Sequence, residues 1–146
     1  MNRLHLILTA ALCATPLSVA LPSSAAAQQA ESVQITVRVI VASASGAPDA
    51  ALQSVAARLQ AQFPEFSGFA QHSTTTVTLG AGEEQRISVP GGGNATIRHL
   101  GVEAGQHRFD VAFPGGSTQV RMPASSVFFV GGAAVPAGTL ILMLDT

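Results

Sequence analysis

The stretch SVQITVRVIVAS, residues 32–43, decides the fold because its side chains alternate in character with a period of two. Aliphatic residues occupy every second position from Val33 to Val41, and polar residues fill the first three positions between them. That period is typical of a β-strand with one buried face. Ile40 and Ala42 make the second face apolar as well, which predicts a central strand rather than an edge strand.

The spacing of the apolar residues changes after this strand. Between residues 48 and 63 the apolar residues recur at steps of three and four, which is the spacing of one buried helical face. Pro48 and Asp49 suit a first helical turn, and Pro64 ends the pattern. The sequence therefore predicts one amphipathic helix over about residues 48–63, packed on the sheet.

Short strand-like runs separated by glycine and proline fill the rest of the chain. Such runs, recurring about every 8–12 residues, are typical of a β-sandwich. The last run, GTLILMLDT (138–146), is apolar at every position from Leu140 to Leu144, so both of its faces should be covered. We expect a mainly β protein: a single β-sandwich domain over residues 33–146, with about seven or eight antiparallel strands, Greek-key-like connections and one helix. The pattern leaves open whether the last strand is central or at an edge.

The segment VPGGGNATIRH, residues 89–99, contains the most distinctive turn. A phosphate-binding loop would need a helix and a lysine after its glycines, whereas strand-forming residues follow here. A hairpin turn is favoured, because glycine adopts positive φ at little steric cost. Asn94 opens an Asn-Ala-Thr glycosylation sequence, but its tolerance of turn geometry already accounts for its position.

Residues 1–27 have the three parts of a secretory signal peptide: a positive start at Arg3, an apolar run, and small residues up to Ala27. Cleavage there leaves a short leader at residues 28–32 and no transmembrane span. It also removes Cys13, the sole cysteine, so the mature chain is expected to have no disulfide and no cysteine metal ligand. We expect export to the periplasm, the cell surface or the extracellular space.

The mature chain would carry six arginines, eight carboxylates and no lysine, for a net charge of −2 with neutral histidines. It has no tryptophan or tyrosine. Proteins that bind nucleic acids need basic patches and use aromatic side chains for stacking, so this composition argues against a nucleic-acid partner. The expected partners are another envelope protein or a second copy of the chain.

Three histidines and one aspartate are the candidate binding residues: His72, His99, His107 and Asp110. Three histidines bind zinc if they converge. We assign no metal site and no cofactor, because ordinary cross-strand pairing accounts for each residue.

The loop at residues 103–105 sets the pairing of two of these histidines, and two registers are open. A three-residue loop places His99 opposite Phe109 and Arg98 opposite Asp110, whereas a two-residue loop, Ala104-Gly105, places His99 opposite Asp110. In neither register do His99 and His107 stand directly opposite each other.

The sequence contains no recognisable catalytic arrangement. It has no Gly-x-Ser-x-Gly nucleophile motif, and the mature chain would have no cysteine nucleophile. His72 is followed by Ser73, but neighbours along a strand point to opposite faces. We therefore predict that the protein is not an enzyme.

The series VTLG, ISVPGGG, VFFVGG and GTLILML resembles a group of short exported bacterial β-rich proteins of no assigned activity. The resemblance covers most of residues 33–144 and consists of turns and core strands. It therefore implies an architecture and transfers no catalytic residues.

The leading prediction is an exported, non-enzymatic binding or assembly module of the bacterial envelope. One alternative is a small periplasmic metal- or carbohydrate-dependent enzyme that uses the histidines or Asp110. Another is a structural surface subunit that assembles through edge strands.

Overall fold

The computed structural model describes residues 32–146, so the predicted signal peptide, its cleavage site, Cys13 and most of the leader lie outside the described residues. Eight antiparallel strands form two four-stranded sheets, with one short helix after the first strand. The predicted mainly β, sandwich-like fold is confirmed. The strands are β1 (Val33–Ser43), β2 (Gly68–Leu79), β3 (Glu84–Ser88), β4 (Asn94–Glu103), β5 (Gln106–Phe113), β6 (Gly116–Met122), β7 (Val127–Val135) and β8 (Gly138–Asp145).

The first sheet has the order β2-β1-β8-β7, and the second has the order β3-β4-β5-β6. Apart from the β1–β8 pair, every hydrogen-bonded neighbour is also the next strand along the chain, so the predicted Greek-key-like connections are wrong. A Greek key needs a long connection that returns a strand beside an earlier one. Here the hairpin loops at 104–105, 114–115 and 136–137 are too short for that, and the longest connection, 44–67, joins the adjacent strands β1 and β2.

The main core lies between the two sheets. The alternating residues of β1 point into it, as the period-two pattern predicted, and Ile35, Val37 and Val39 are fully buried. From the second sheet, Phe109 and Val111 meet them and are also fully buried. The strand that decided the fold is therefore central, with β2 and β8 on its two sides.

Strand β8 is central as well, which answers the question that its sequence left open. Leu142 faces the second sheet, whereas Ile141 belongs to a second apolar cluster on the outer side of the first sheet. The segment between β1 and β2 covers that outer side with Leu52 and Leu59. Both faces of the last strand are therefore covered, as predicted from its unbroken apolar run.

The helical segment is shorter than predicted. A 3-10 turn spans Ala50–Leu52, and helix α1 spans Ala56–Gln62, so a continuous helix over residues 48–63 is wrong. No helix among residues 32–146 is long and apolar enough to span a membrane.

Tertiary contacts at Asp49 account for the break in the helix. The Asp49 N–H donates to the carbonyl of Phe69, and its carboxylate accepts from the Gln71 N–H, both at 2.9 Å. These two bonds tie the first turn to the start of β2. Residues 53–55 form a turn between the 3-10 turn and α1, so the helix is interrupted there.

The glycine-rich segment is a turn that joins β3 directly to β4, as predicted. Gly91 and Gly92 have φ values of +93° and +85°, which favour glycine. A Cβ on Gly91 would lie 3.1 Å from the Cδ atom of Pro136, so the turn packs closely against the β7–β8 hairpin. A strand, not a helix, follows the glycines.

Candidate functional site

A groove runs between helix α1 and the edge strand β7. Its volume is about 430 Å³, and it opens to solvent. Phe128 of β7 is 40% exposed, and only Val102 is a comparably exposed large apolar residue among residues 32–146. The groove is lined by Arg58, Ala61 and Gln62 from α1 and by Val127, Phe128 and Phe129 from β7.

Strand β7 presents an open backbone edge beside this groove. Within the described residues it pairs only with β8, and its sequence VFFVGGAAV contains no charge and no proline. Edge strands are commonly protected from pairing by charged residues, proline or bulges. One bulge is present, because Gly132 is an extra residue between the pairs Gly131–Ile141 and Ala133–Leu140. Residues 127–131 therefore form the regular, unprotected part of the edge.

Arg58 gives the groove a positive charge. Its side chain makes no ion pair with any carboxylate of residues 32–146. By contrast, Arg98 pairs with Glu84 at 2.8 Å and Arg108 pairs with Glu103 at 3.0 Å. An anionic group beside Phe128 would thus meet a cation that has no carboxylate partner within the described part of the chain.

His99 and His107 contact each other on the inner face of the second sheet. The Nε2 atom of His99 lies 3.1 Å from the Nδ1 atom of His107, within hydrogen-bonding distance. The loop is the two-residue Ala104-Gly105, yet His99 pairs with Phe109 and Arg98 pairs with Asp110, which is the pairing predicted for the three-residue loop. Leu100 is the cause: it is an extra, bulged residue, and it shifts the ladder by one position before His99.

The histidine pair sits in an apolar setting. His99 is fully buried, whereas His107 is partly exposed. The Phe109 ring lies between the sheets against both imidazoles, with centroid distances of 5.2 Å to His99 and 6.3 Å to His107. On the neighbouring strand Met122, which is 1% exposed, is the direct ladder partner of His107.

The other two candidates lie apart from this pair. His72 is on the first sheet, where it is the bulged residue of β2, and it borders a separate groove of about 440 Å³ together with Gln71 and Pro90. Asp110 lies opposite Arg98, next to Phe109 on the strand and therefore on the other face of the second sheet. Over residues 32–146, histidine, cysteine and carboxylate side chains form no group of three that could hold a metal ion.

Two of these features, the bulges, have a signal in the sequence. A glycine inside a strand pattern indicates a bulge, and Gly101 and Gly132 mark the bulges of β4 and β7. Arg58 and Met122 had no such signal, because their roles depend on which strands and helices become neighbours.

Comparisons with protein-family models, with curated proteins and with solved structures found no match for this chain. The resemblance to short exported bacterial proteins therefore remains an expectation from the sequence.

Proposed function

We propose that the protein is an exported, non-enzymatic binding module of the bacterial envelope, which holds an extended peptide segment of another envelope protein along strand β7. The observation that carries this proposal is the uncharged open edge of β7 beside the groove that contains Arg58. Addition of a strand to an open sheet edge is a common mode of peptide recognition.

The three components of the surface favour one kind of segment. The β7 backbone offers hydrogen bonds to an extended chain, and alternate side chains of that chain point to one face. Phe129 on the face of α1 and Phe128 on the opposite face each favour an apolar side chain on their own face of the added strand. Arg58 favours a carboxylate, from an acidic side chain or a chain terminus. The preferred segment is therefore extended, apolar at alternate positions and acidic at one position.

The enzyme alternative receives less support from the geometry. His72 and Asp110 are on different sheets, and neither joins the pair of His99 and His107. General acid–base catalysis needs its groups within reach of one reacting centre. The sequence-based prediction of a non-enzymatic role is therefore kept in the proposal.

A displayed library of random peptides of about ten residues tests the proposal on the purified domain. Selected peptides should carry alternating apolar residues and one acidic group. The Phe128→Lys and Arg58→Glu variants should each weaken binding of a selected peptide at least about tenfold, equivalent to about 1.4 kcal/mol. Val102→Lys is the matched control, because Val102 is equally exposed, at 42% against 40%, but lies on the second sheet; it should leave binding unchanged.

Two results would contradict the proposal. One is a selection that yields no peptide above background, or only peptides whose binding is insensitive to Phe128→Lys and Arg58→Glu. The other is a stable dimer of the purified domain that Phe128→Lys dissociates. That result would make a second copy of the chain the occupant of the edge and would support the structural-subunit alternative.

A further inference from the structure

The inner face of the second sheet carries two imidazoles and a thioether on three adjacent strands. His99 is on β4, His107 on β5 and Met122 on β6. We propose that His99, His107 and Met122 form a binding site for monovalent copper. This site is separate from the groove at β7, and the proposal does not depend on the peptide-binding function.

The spacing of the two imidazoles suits a shared metal ion. The Nε2 atom of His99 and the Nδ1 atom of His107 lie 3.1 Å apart and point at each other. With metal–nitrogen bonds of about 2.0–2.1 Å, an ion between them would have a nitrogen–metal–nitrogen angle of about 100°. Separation of the rings by about 0.3 Å would reach the tetrahedral angle, and both rings would also have to turn so that their lone pairs aim at the ion.

Met122 supplies the third donor from the neighbouring strand. It is the direct ladder partner of His107, and the Cβ atoms of such partners are about 4.5–5.5 Å apart on one face of the sheet. Methionine is unbranched and has three rotatable side-chain bonds, so its sulfur can adjust to a nearby ion. Its burial at 1% exposure keeps that sulfur inside the sandwich.

This donor set favours Cu(I) over zinc. Thioether sulfur is a soft ligand that selects monovalent copper, whereas zinc is bound by thiolate, imidazole and carboxylate groups. Within the described residues no carboxylate or thiolate completes a three-ligand group with the two histidines, so the third donor is sulfur from methionine. The fully buried rings of His99 and Phe109 also favour a monovalent ion, because burial of a higher charge costs more.

Protonation sets the condition for binding. In the hydrogen bond between the imidazoles, one ring nitrogen donates and the other accepts. A shared ion needs a lone pair on both atoms, so the donating ring has to carry its proton on its other nitrogen. Moving that proton to the other nitrogen changes the tautomer of the ring. Because the ring stays neutral, no proton is released to solvent.

The test is a titration of the purified domain with Cu(I) in competition with a coloured Cu(I) chelator. The wild type should retain one ion per chain. His107→Gln and Met122→Leu should each weaken retention at least about tenfold, because even the loss of a residue that only supports a ligand costs about 10–100-fold in metal affinity. X-ray absorption of the copper-loaded protein should show a copper–sulfur shell that Met122→Leu removes. The leucine conserves volume, so the sandwich should remain folded.

Matched controls separate the proposed site from general copper binding. His72→Gln removes an exposed histidine on the first sheet, and Met143→Leu removes a methionine that is 2% exposed on the outer side of that sheet. Both should retain copper as the wild type does. The proposal is overturned if the wild type gives up all copper to the chelator, if Met122→Leu keeps the sulfur shell, or if only zinc is retained.

Discussion

The Nε2 atom of His99 lies 3.1 Å from the Nδ1 atom of His107, although the ladder pairs His99 with Phe109 and His107 with Val102. The two imidazoles are diagonal neighbours on one face of the sheet, a relationship that long or flat side chains can bridge. The bulge at Leu100 creates this arrangement by inserting one residue between the two pairs. The contact between the histidines therefore depends on the local backbone of β4.

Substitution of Gly101 by alanine should disturb that backbone. Gly101 follows the bulge and has a φ of +114°, a conformation that side chains with a Cβ rarely adopt. Gly101→Ala should lower the free energy of unfolding by about 1–3 kcal/mol, as measured by urea denaturation. Gly116→Ala is the control, because the φ of Gly116 is not positive and its added Cβ would lie 3.9 Å from Phe113. Equal losses in the two variants would argue against strain at the bulge.

The contact between His99 and His107 could not be predicted from the sequence. Both predicted registers assumed a regular strand before the loop, and neither placed His99 directly opposite His107, as the structure confirms. The structure combines the two-residue loop Ala104-Gly105 with the pairing expected of a three-residue loop. Gly101 was the available signal for a bulge. Met122 had none, because its relation to His107 depends on the pairing of β5 with β6.

Both faces of β8 should contribute to stability. Ile141 faces the helical segment and Leu142 faces the second sheet, and their exposures are 0% and 1%. Ile141→Ala and Leu142→Ala should each lower the free energy of unfolding by about 2–5 kcal/mol in chemical denaturation. The control is Val102→Ala at an exposed site, with an expected change of about 0.5 kcal/mol or less. A negligible cost for Ile141→Ala would mean that the helical segment does not cover the strand.

Glu103 should stabilise the second sheet by pairing with two like charges. Arg108 and Arg121 are direct ladder partners, and the Glu103 carboxylate lies 3.0 Å from the first and 3.8 Å from the second. Glu103→Gln should lower the free energy of unfolding at low salt by up to about 1 kcal/mol, because the pairs are solvent-exposed. The loss should shrink in 1 M salt. Glu65→Gln is the control; a salt response of equal size there would show that the effect is not local to Glu103.

The fold was more predictable than the site, because burial leaves a periodic trace in the sequence. The alternation in residues 32–43 identified a central strand, and the apolar run at Leu140–Leu144 identified a strand covered on both faces. The order of the strands leaves no such periodic pattern. The Greek-key-like prediction was therefore wrong, because short loops pair each strand with the next one along the chain. The helix was predicted too long, because the bonds from Asp49 to β2 involve residues that are distant in sequence.

The groove at β7 could not be predicted for the same reason. The run VFFVGG predicts a strand followed by a turn. Nothing in it indicates that the strand is at an edge or that Arg58 of α1 lies beside it. The edge position follows from the pairing of β8 with β1, which places β7 outermost in the first sheet. The peptide-binding proposal therefore rests on tertiary structure.

Amide hydrogen exchange tests the peptide-binding proposal most directly, because strand addition places new hydrogen bonds on the β7 backbone. The measurement compares the domain alone with the domain saturated by a selected peptide. Exchange should slow at least about tenfold at alternate amides of residues 127–131, where a regular edge is open. The edge strand β3, Glu84–Ser88, should be unchanged. Unchanged exchange in residues 127–131, or equal slowing in β3, would contradict the account.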